Sequence, residues 1–97
     1  MTRVAIAPQA LRDIERVTDF LLATDPQVAV ETAGIVSDGL AILRDHPLIG
    51  RRAESGYREL LISRGRTGYI ALYRYDSARD TVIVLNLKAS APEAPLP

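Results

Sequence analysis

The chain has 97 residues, 47% of them hydrophobic, and a formal net charge of zero, which describes one globular domain near the small end of what builds its own core. It has no cysteine and a single histidine, His46, which excludes disulfides and thiolate metal sites and leaves a zinc site short of nitrogen ligands. No apolar run reaches the ~20 residues of a membrane span and no secretion signal opens the chain, so a cytoplasmic protein with neither metal nor cofactor is expected.

Arg3–Ala7 alternates and precedes Pro8, which predicts a short edge strand. From Pro8, a residue suited to the first helical turn, Ala10, Ile14, Val17 and Leu21 recur at helical spacing, with Leu11 widening the stripe. Asp13, Glu15, Arg16 and Asp19 fall off that stripe and read as a solvated face. The helix should end near Thr24, where Asp25 caps a second helix that starts at Pro26. Ala29, Ala33, Val36, Leu40 and Leu43 carry this second helix to about Asp45, before Pro47. Gly34 and Gly39 lie inside it, at a cost of about 1 kcal/mol each, and with Ala29 and Ala33 they offer a place for close approach. Helices joined this tightly form an antiparallel hairpin.

Leu48–Gly56 reads as a loop carrying Arg51 and Arg52. Three β-type runs follow, Tyr57–Ser63, Tyr69–Tyr75 and Thr81–Lys88, rich in β-branched and aromatic residues. The short polar segments between them, with Gly65 and Gly68 in the first and Asp76 to Asp80 in the second, predict an antiparallel meander. The tail from Ala89 to Pro97, with three prolines, predicts an extended or disordered end to a single domain of residues 1–88. The fold class is therefore α+β, with the hairpin laid across one face of the sheet.

Charge is unevenly spread. Residues 1–50 carry four arginines against seven carboxylates, whereas residues 51–74 carry six arginines against Glu54 and Glu59. Arginine's planar fork suits carboxylates and phosphates, so the sheet half is a local cationic surface on a neutral molecule. Alternation places Arg58 with Leu60 and Ile62, and Arg74 with Ile70 and Leu72, on the helix-covered face or its margin. Such arginines are either held in internal ion pairs or reach solvent with their heads. Tyr69, Tyr73 and Tyr75 then fall on the uncovered face, as plain cross-strand packing or as an aromatic strip for a base or a peptide. His46, at a helix end with no Ser/Asp partner in its neighbourhood, reads as a cap.

Certain stretches resemble a known family: the helix end HPLIGRR, the strand start Tyr57-Arg58-Glu59-Leu60, the strand with Tyr69, Tyr73 and Arg74, and the apolar run Val82–Leu87. In order and spacing they are similar to the RelE/ParE superfamily of small bacterial toxins from type II toxin–antitoxin operons, over about residues 3–88. The resemblance implies a β-α-α-β-β-β fold held inactive by an antitoxin that wraps it. It implies one of two activities: RelE-like members cut mRNA on the ribosome with a basic and tyrosine set, and ParE-like members poison DNA gyrase without that set. Arg58, with Arg64 or Arg66, falls where the family places basic side chains, and Tyr73-Arg74 matches its strand pair. Lys88 is followed by ASAPEAPLP, which lacks the histidine, arginine or tyrosine that supplies an acid and a phosphate clamp in RelE-like nucleases. The expectation is a ParE-like toxin that binds gyrase through Arg51, Arg52, Arg58, Arg64, Arg66, Tyr69, Tyr73, Arg74 and Lys88, that surface being covered by the antitoxin. The alternatives are a ribosome-dependent nuclease using Arg58, Arg64, Arg66 and Tyr73, and a decayed toxin that binds only its antitoxin.

Overall fold

The computed structural model of the chain describes residues 1–64 and 67–90, with the backbone alone for Arg64 and Thr67. Its elements are β1 (Arg3–Ile6), α1 (Pro8–Thr24), α2 (Pro26–Ala41), β2 (Arg51–Arg52), β3 (Arg58–Arg64), β4 (Thr67–Asp76) and β5 (Thr81–Ala89). The described strands form one sheet in the order β1-β5-β4-β3-β2. β3, β4 and β5 are the expected antiparallel meander, and β1 is the expected edge strand, running parallel to β5. The α1–α2 hairpin covers one face, giving the α+β architecture read from the sequence.

The helix signals act as written. Asp25 accepts hydrogen bonds from the Gln27 and Val28 N–H groups, and Pro26 opens α2. Two departures occur further on. α2 stops at Ala41, and Ile42–Arg44 closes as a 3₁₀ turn rather than continuing the helix to Asp45. The tighter turn buries Leu43 and presents the Arg44 carbonyl to the Thr2 N–H, tying the hairpin's end to the start of β1. The buried stripe of α2 is Ala29, Thr32, Val36 and Leu40, with Ala33 left exposed.

The two glycines of α2 differ in purpose. A Cβ on Gly39 would lie 2.8 Å from Ile62 Cγ1, so this glycine lets β3 pack against the helix. A Cβ on Gly34 would meet nothing within 4 Å. Gly34→Ala should therefore stabilise the fold by about 0.5–1 kcal/mol, through helix propensity and a stiffer unfolded chain. Gly39→Ala should lose that gain by displacing Ile62. Paired urea titrations measure both.

The segment read as a loop after α2 contains a further strand: β2 pairs with β3 through Arg51↔Glu59 and Arg52↔Arg58. At the hairpin ends, β3 and β4 run longer than predicted, so that Gly68 sits in the ladder opposite Ser63. Gly65 and Arg66 lie outside the described residues. β5 continues to Ala89, and the Ser90 N–H reaches the Gly68 carbonyl. The rest of the predicted tail, residues 91–97, also lies outside the described residues. The β4–β5 turn is fixed by Asp76, which accepts from the Ala78 and Arg79 N–H groups. Asp80 in turn accepts the Thr2 and Tyr75 hydroxyls.

The largest correction concerns which face of β4 is covered. Ile62 pairs with Tyr69, Leu60 with Ala71 and Arg58 with Tyr73, and paired residues share a face. Leu60 and Ile62 do face the helices, so Tyr69, Ala71 and Tyr73 face them too and are buried. The expected open tyrosine strip is core. Ile70, Leu72 and Arg74 occupy the uncovered face instead, and Arg74 is exposed there. On β5 a bulge leaves Leu85 without an opposite number: Tyr73 pairs with Val84 and Leu72 with Asn86. Inward positions therefore run Val82, Val84 and Leu87, changing parity at the bulge.

Candidate functional site

The uncovered sheet face and the segment leading into β2 hold the exposed cations expected to act. Arg51 lies there with its guanidinium 3.0 Å from Glu59 Oε1, an exposed pair of modest strength. Arg52, Arg74 and Lys88 are exposed, and none is ion-paired with another described residue. Beneath Arg51 two adjoining hollows of about 370 and 230 Å³ share Glu59 and Ile70 and cross the open face towards Lys88. The side chains of Arg64 and Arg66 lie outside the described residues.

Three of the expected binding residues are placed differently. Tyr69 and Tyr73 are buried under the helices rather than presented on the open sheet face. Arg58 is half-buried and its guanidinium turns inward, donating to the Gly50 carbonyl at 2.8 Å and the Leu48 carbonyl at 3.1 Å. Tyr73, fully buried, accepts the Gly50 N–H at its hydroxyl at 2.8 Å. Burial pushes the Tyr73 phenol above its usual range, with the Gly50 N–H and the Arg58 charge offsetting only part of the rise. Both side chains act on the backbone of Leu48–Gly50, fixing the approach to β2 from opposite ends of Gly50. That position is buried and needs glycine, because a Cβ there would lie 2.7 Å from the Glu59 carbonyl oxygen and from the Tyr73 ring and hydroxyl.

Sequence reasoning missed this clamp, although the run HPLIGRR contains its parts. It also missed Asp13, read as part of a solvated face and in fact 4% exposed. Asp13 accepts the Leu87 N–H at 3.0 Å, the Gln9 amide at 2.8 Å and the Arg16 guanidinium at 3.1 Å. β1 ends at Ile6, opposite Val84, so the N–H of Leu87 lies beyond the neighbouring strand and Asp13 stands in for it. Burial alone would raise the Asp13 carboxyl, but the Leu87 N–H, Gln9 and Arg16 together hold it below the usual carboxylate range. The spacing held a signal, since Asp13 is three residues after Ala10 and four before Val17 on the same helix face.

On the opposite side of the molecule, a groove of about 340 Å³ runs between α1, α2 and β1, lined by residues such as Ile6, Leu11, Ile14, Ala33 and Ser37. No group of three metal-ligating side chains that could hold an ion occurs among the described residues. Nor is any helix there long and apolar enough to cross a membrane.

The molecule is thus a small α+β domain with exposed cations on an open sheet face and an apolar groove between its helices and β1. Residues 4–90 match the family described as the ParE toxin of the type II toxin–antitoxin system parDE, and the chain belongs to that family, within the RelE/ParE superfamily of toxins. It is 30% identical over 90 residues to the toxin RelE3 of Caulobacter vibrioides, across 93% of this chain and 96% of that protein. Its fold is similar to a chain of the chromosomal ParDE system of P. aeruginosa, with a TM-score of 0.77 at 18% identity, covering 94% of this chain and 98% of that one. It is also similar to a chain of the RelBE2 toxin–antitoxin complex of Mycobacterium tuberculosis, with a TM-score of 0.62 at 25% identity, covering 94% and 93%.

Proposed function

We propose that this toxin follows the ParE-like branch and inhibits DNA gyrase by binding it in the cytoplasm, with no bond-making of its own, until a cognate antitoxin neutralises it. The observation that carries this reading is the placement of Tyr73 and Arg58. A nuclease would need both at a phosphate, yet the hydroxyl of one is buried against Gly50 and the guanidinium of the other is engaged by two backbone carbonyls. Tyr73's phenol, raised by burial, is a poor proton shuttle near neutral pH. Arg51, Arg52, Arg74 and Lys88, exposed on the surface, serve with Arg64 and Arg66 as the cationic contacts of this reading, in keeping with steering towards a partner's acidic surface.

Induction of the chain without antitoxin is the test. The expected result is growth arrest with DNA breaks and an SOS response while transcripts stay intact. Tyr73→Phe, assayed below its melting temperature, should keep arresting growth. Cleaved transcripts that vanish in Tyr73→Phe would establish the ribosome-dependent nuclease instead. Harmless expression of a folded chain would establish the decayed, antitoxin-binding alternative.

A further inference from the structure

We propose that Leu48–Arg52 is the docking anchor of this toxin, a backbone-clamped segment whose exposed Leu48 and Ile49 side chains pack against an apolar patch rimmed by carboxylates on the target protein. The inference rests on the reading that the chain is an active toxin whose target is a protein.

Leu48 is 56% and Ile49 54% exposed, side by side at the head of the segment. They are held out by the clamp beneath them. Arg58 holds the Leu48 and Gly50 carbonyls, and the Tyr73 hydroxyl oxygen accepts the Gly50 N–H, so the backbone is fixed while both side chains stay at the surface. A segment whose backbone is fixed in advance loses little freedom on binding. Ile49 continues into Leu61, 62% exposed, and Ile70 along one hollow of the open sheet face. Arg51 and Arg52 close the same segment. An apolar centre with a cationic rim is the pattern of a protein-binding patch and calls for its inverse on the partner.

The same residues argue against nucleic acid as the occupant. Single-stranded recognition stacks bases on aromatic rings, and the register puts Tyr69 and Tyr73 on the covered face.

The experiment is growth arrest on induction of Leu48→Ser/Ile49→Ser, beside Phe20→Ser/Val30→Ser. The second pair removes comparably exposed side chains, at 67% each, from the helices. Circular dichroism and melting should match wild type for both, because every altered side chain is exposed. The expected result is at least a tenfold loss of arrest, in surviving colonies, for the loop variant and none for the helix variant. Arg51→Gln/Arg52→Gln should give a smaller, salt-dependent loss. Full arrest by the loop variant would overturn the anchor, as would arrest that persists but escapes co-expressed antitoxin, since the segment would then serve the antitoxin. Loss confined to the arginine variant would point to a phosphate-bearing partner and also overturn it. A wild-type chain without effect on growth would instead remove the toxin reading itself, and the anchor with it.

Discussion

Gly50→Ala should be the most damaging single-methyl change in this domain, lowering stability by about 3 kcal/mol and the melting temperature by about 15 °C. A Cβ at this position lies 2.7 Å from a backbone oxygen of β3 and 2.7 Å from both the ring and the hydroxyl of Tyr73. A flexible side-chain tip could move aside. The Glu59 carbonyl cannot, because it belongs to a strand paired on both edges, and Tyr73 is fully buried in the core cluster with Val82, Val84, Leu43 and Leu87, where close packing resists its displacement. Gly50 itself must therefore retreat, breaking its N–H bond to Tyr73 and the carbonyl bond to Arg58 together. Each buried group left unpaired costs about 1–3 kcal/mol. A domain this size has a total stability of about 5–15 kcal/mol, so the variant should melt at markedly lower temperature in a thermal scan. Gly34→Ala is the internal control, since the same methyl meets open space there. Equal melting temperatures for the two variants would mean that the clamp contributes nothing to the fold.

The contrast between these glycines marks where the sequence was readable. The helix starts, the junction between the helices and the meander follow from local rules: Pro8, Asp25 with Pro26, and alternation on each strand all act within a few residues. The faces of β4 were not readable in this way. Both parities are apolar, with Ile70 and Leu72 on one and Tyr69, Ala71 and Tyr73 on the other, and hydropathy favours the aliphatic set over tyrosine. The outcome depends on a partner 23 positions away, the Gly50 N–H that satisfies the buried phenol. Parity on β5 is harder still, because the bulge at Leu85 reverses it partway along the strand. The basic residues show the same division. Arg51, Arg52, Arg74 and Lys88 reach the surface as their charge suggests, while Arg58 is drawn inward by carbonyls that no charge count reveals.

Replacing Asp13 should be nearly as costly, and its effect should depend on pH. Asp13→Ala removes the acceptor of the buried Leu87 N–H and leaves a cavity beneath α1, a loss of about 2–3 kcal/mol at neutral pH. Asp13→Asn keeps an oxygen for Leu87 but turns an amide towards the donors of both Gln9 and Arg16, so it should cost about half as much. The sign of the pH effect follows from the direction of the shift. The folded-state carboxyl lies below its ordinary value, so the native state holds the ionised form more firmly than the unfolded chain does. That stabilisation is fully present above the ordinary aspartate range of about 4 and is lost as pH falls through the lower, folded value. Urea unfolding of wild type and Asp13→Asn at neutral pH and near pH 3 should show the gap between them narrowing in acid. A gap that widened would require a carboxyl destabilised by burial, and the Leu87 N–H would then not be the strand partner that Asp13 replaces. A gap independent of pH would mean that the charge contributes nothing and that the oxygen's position alone matters. In either version α1 is joined to the sheet through a side chain where β1 runs out, which is why a helix with a fully buried Ala10 also buries an acid one turn later.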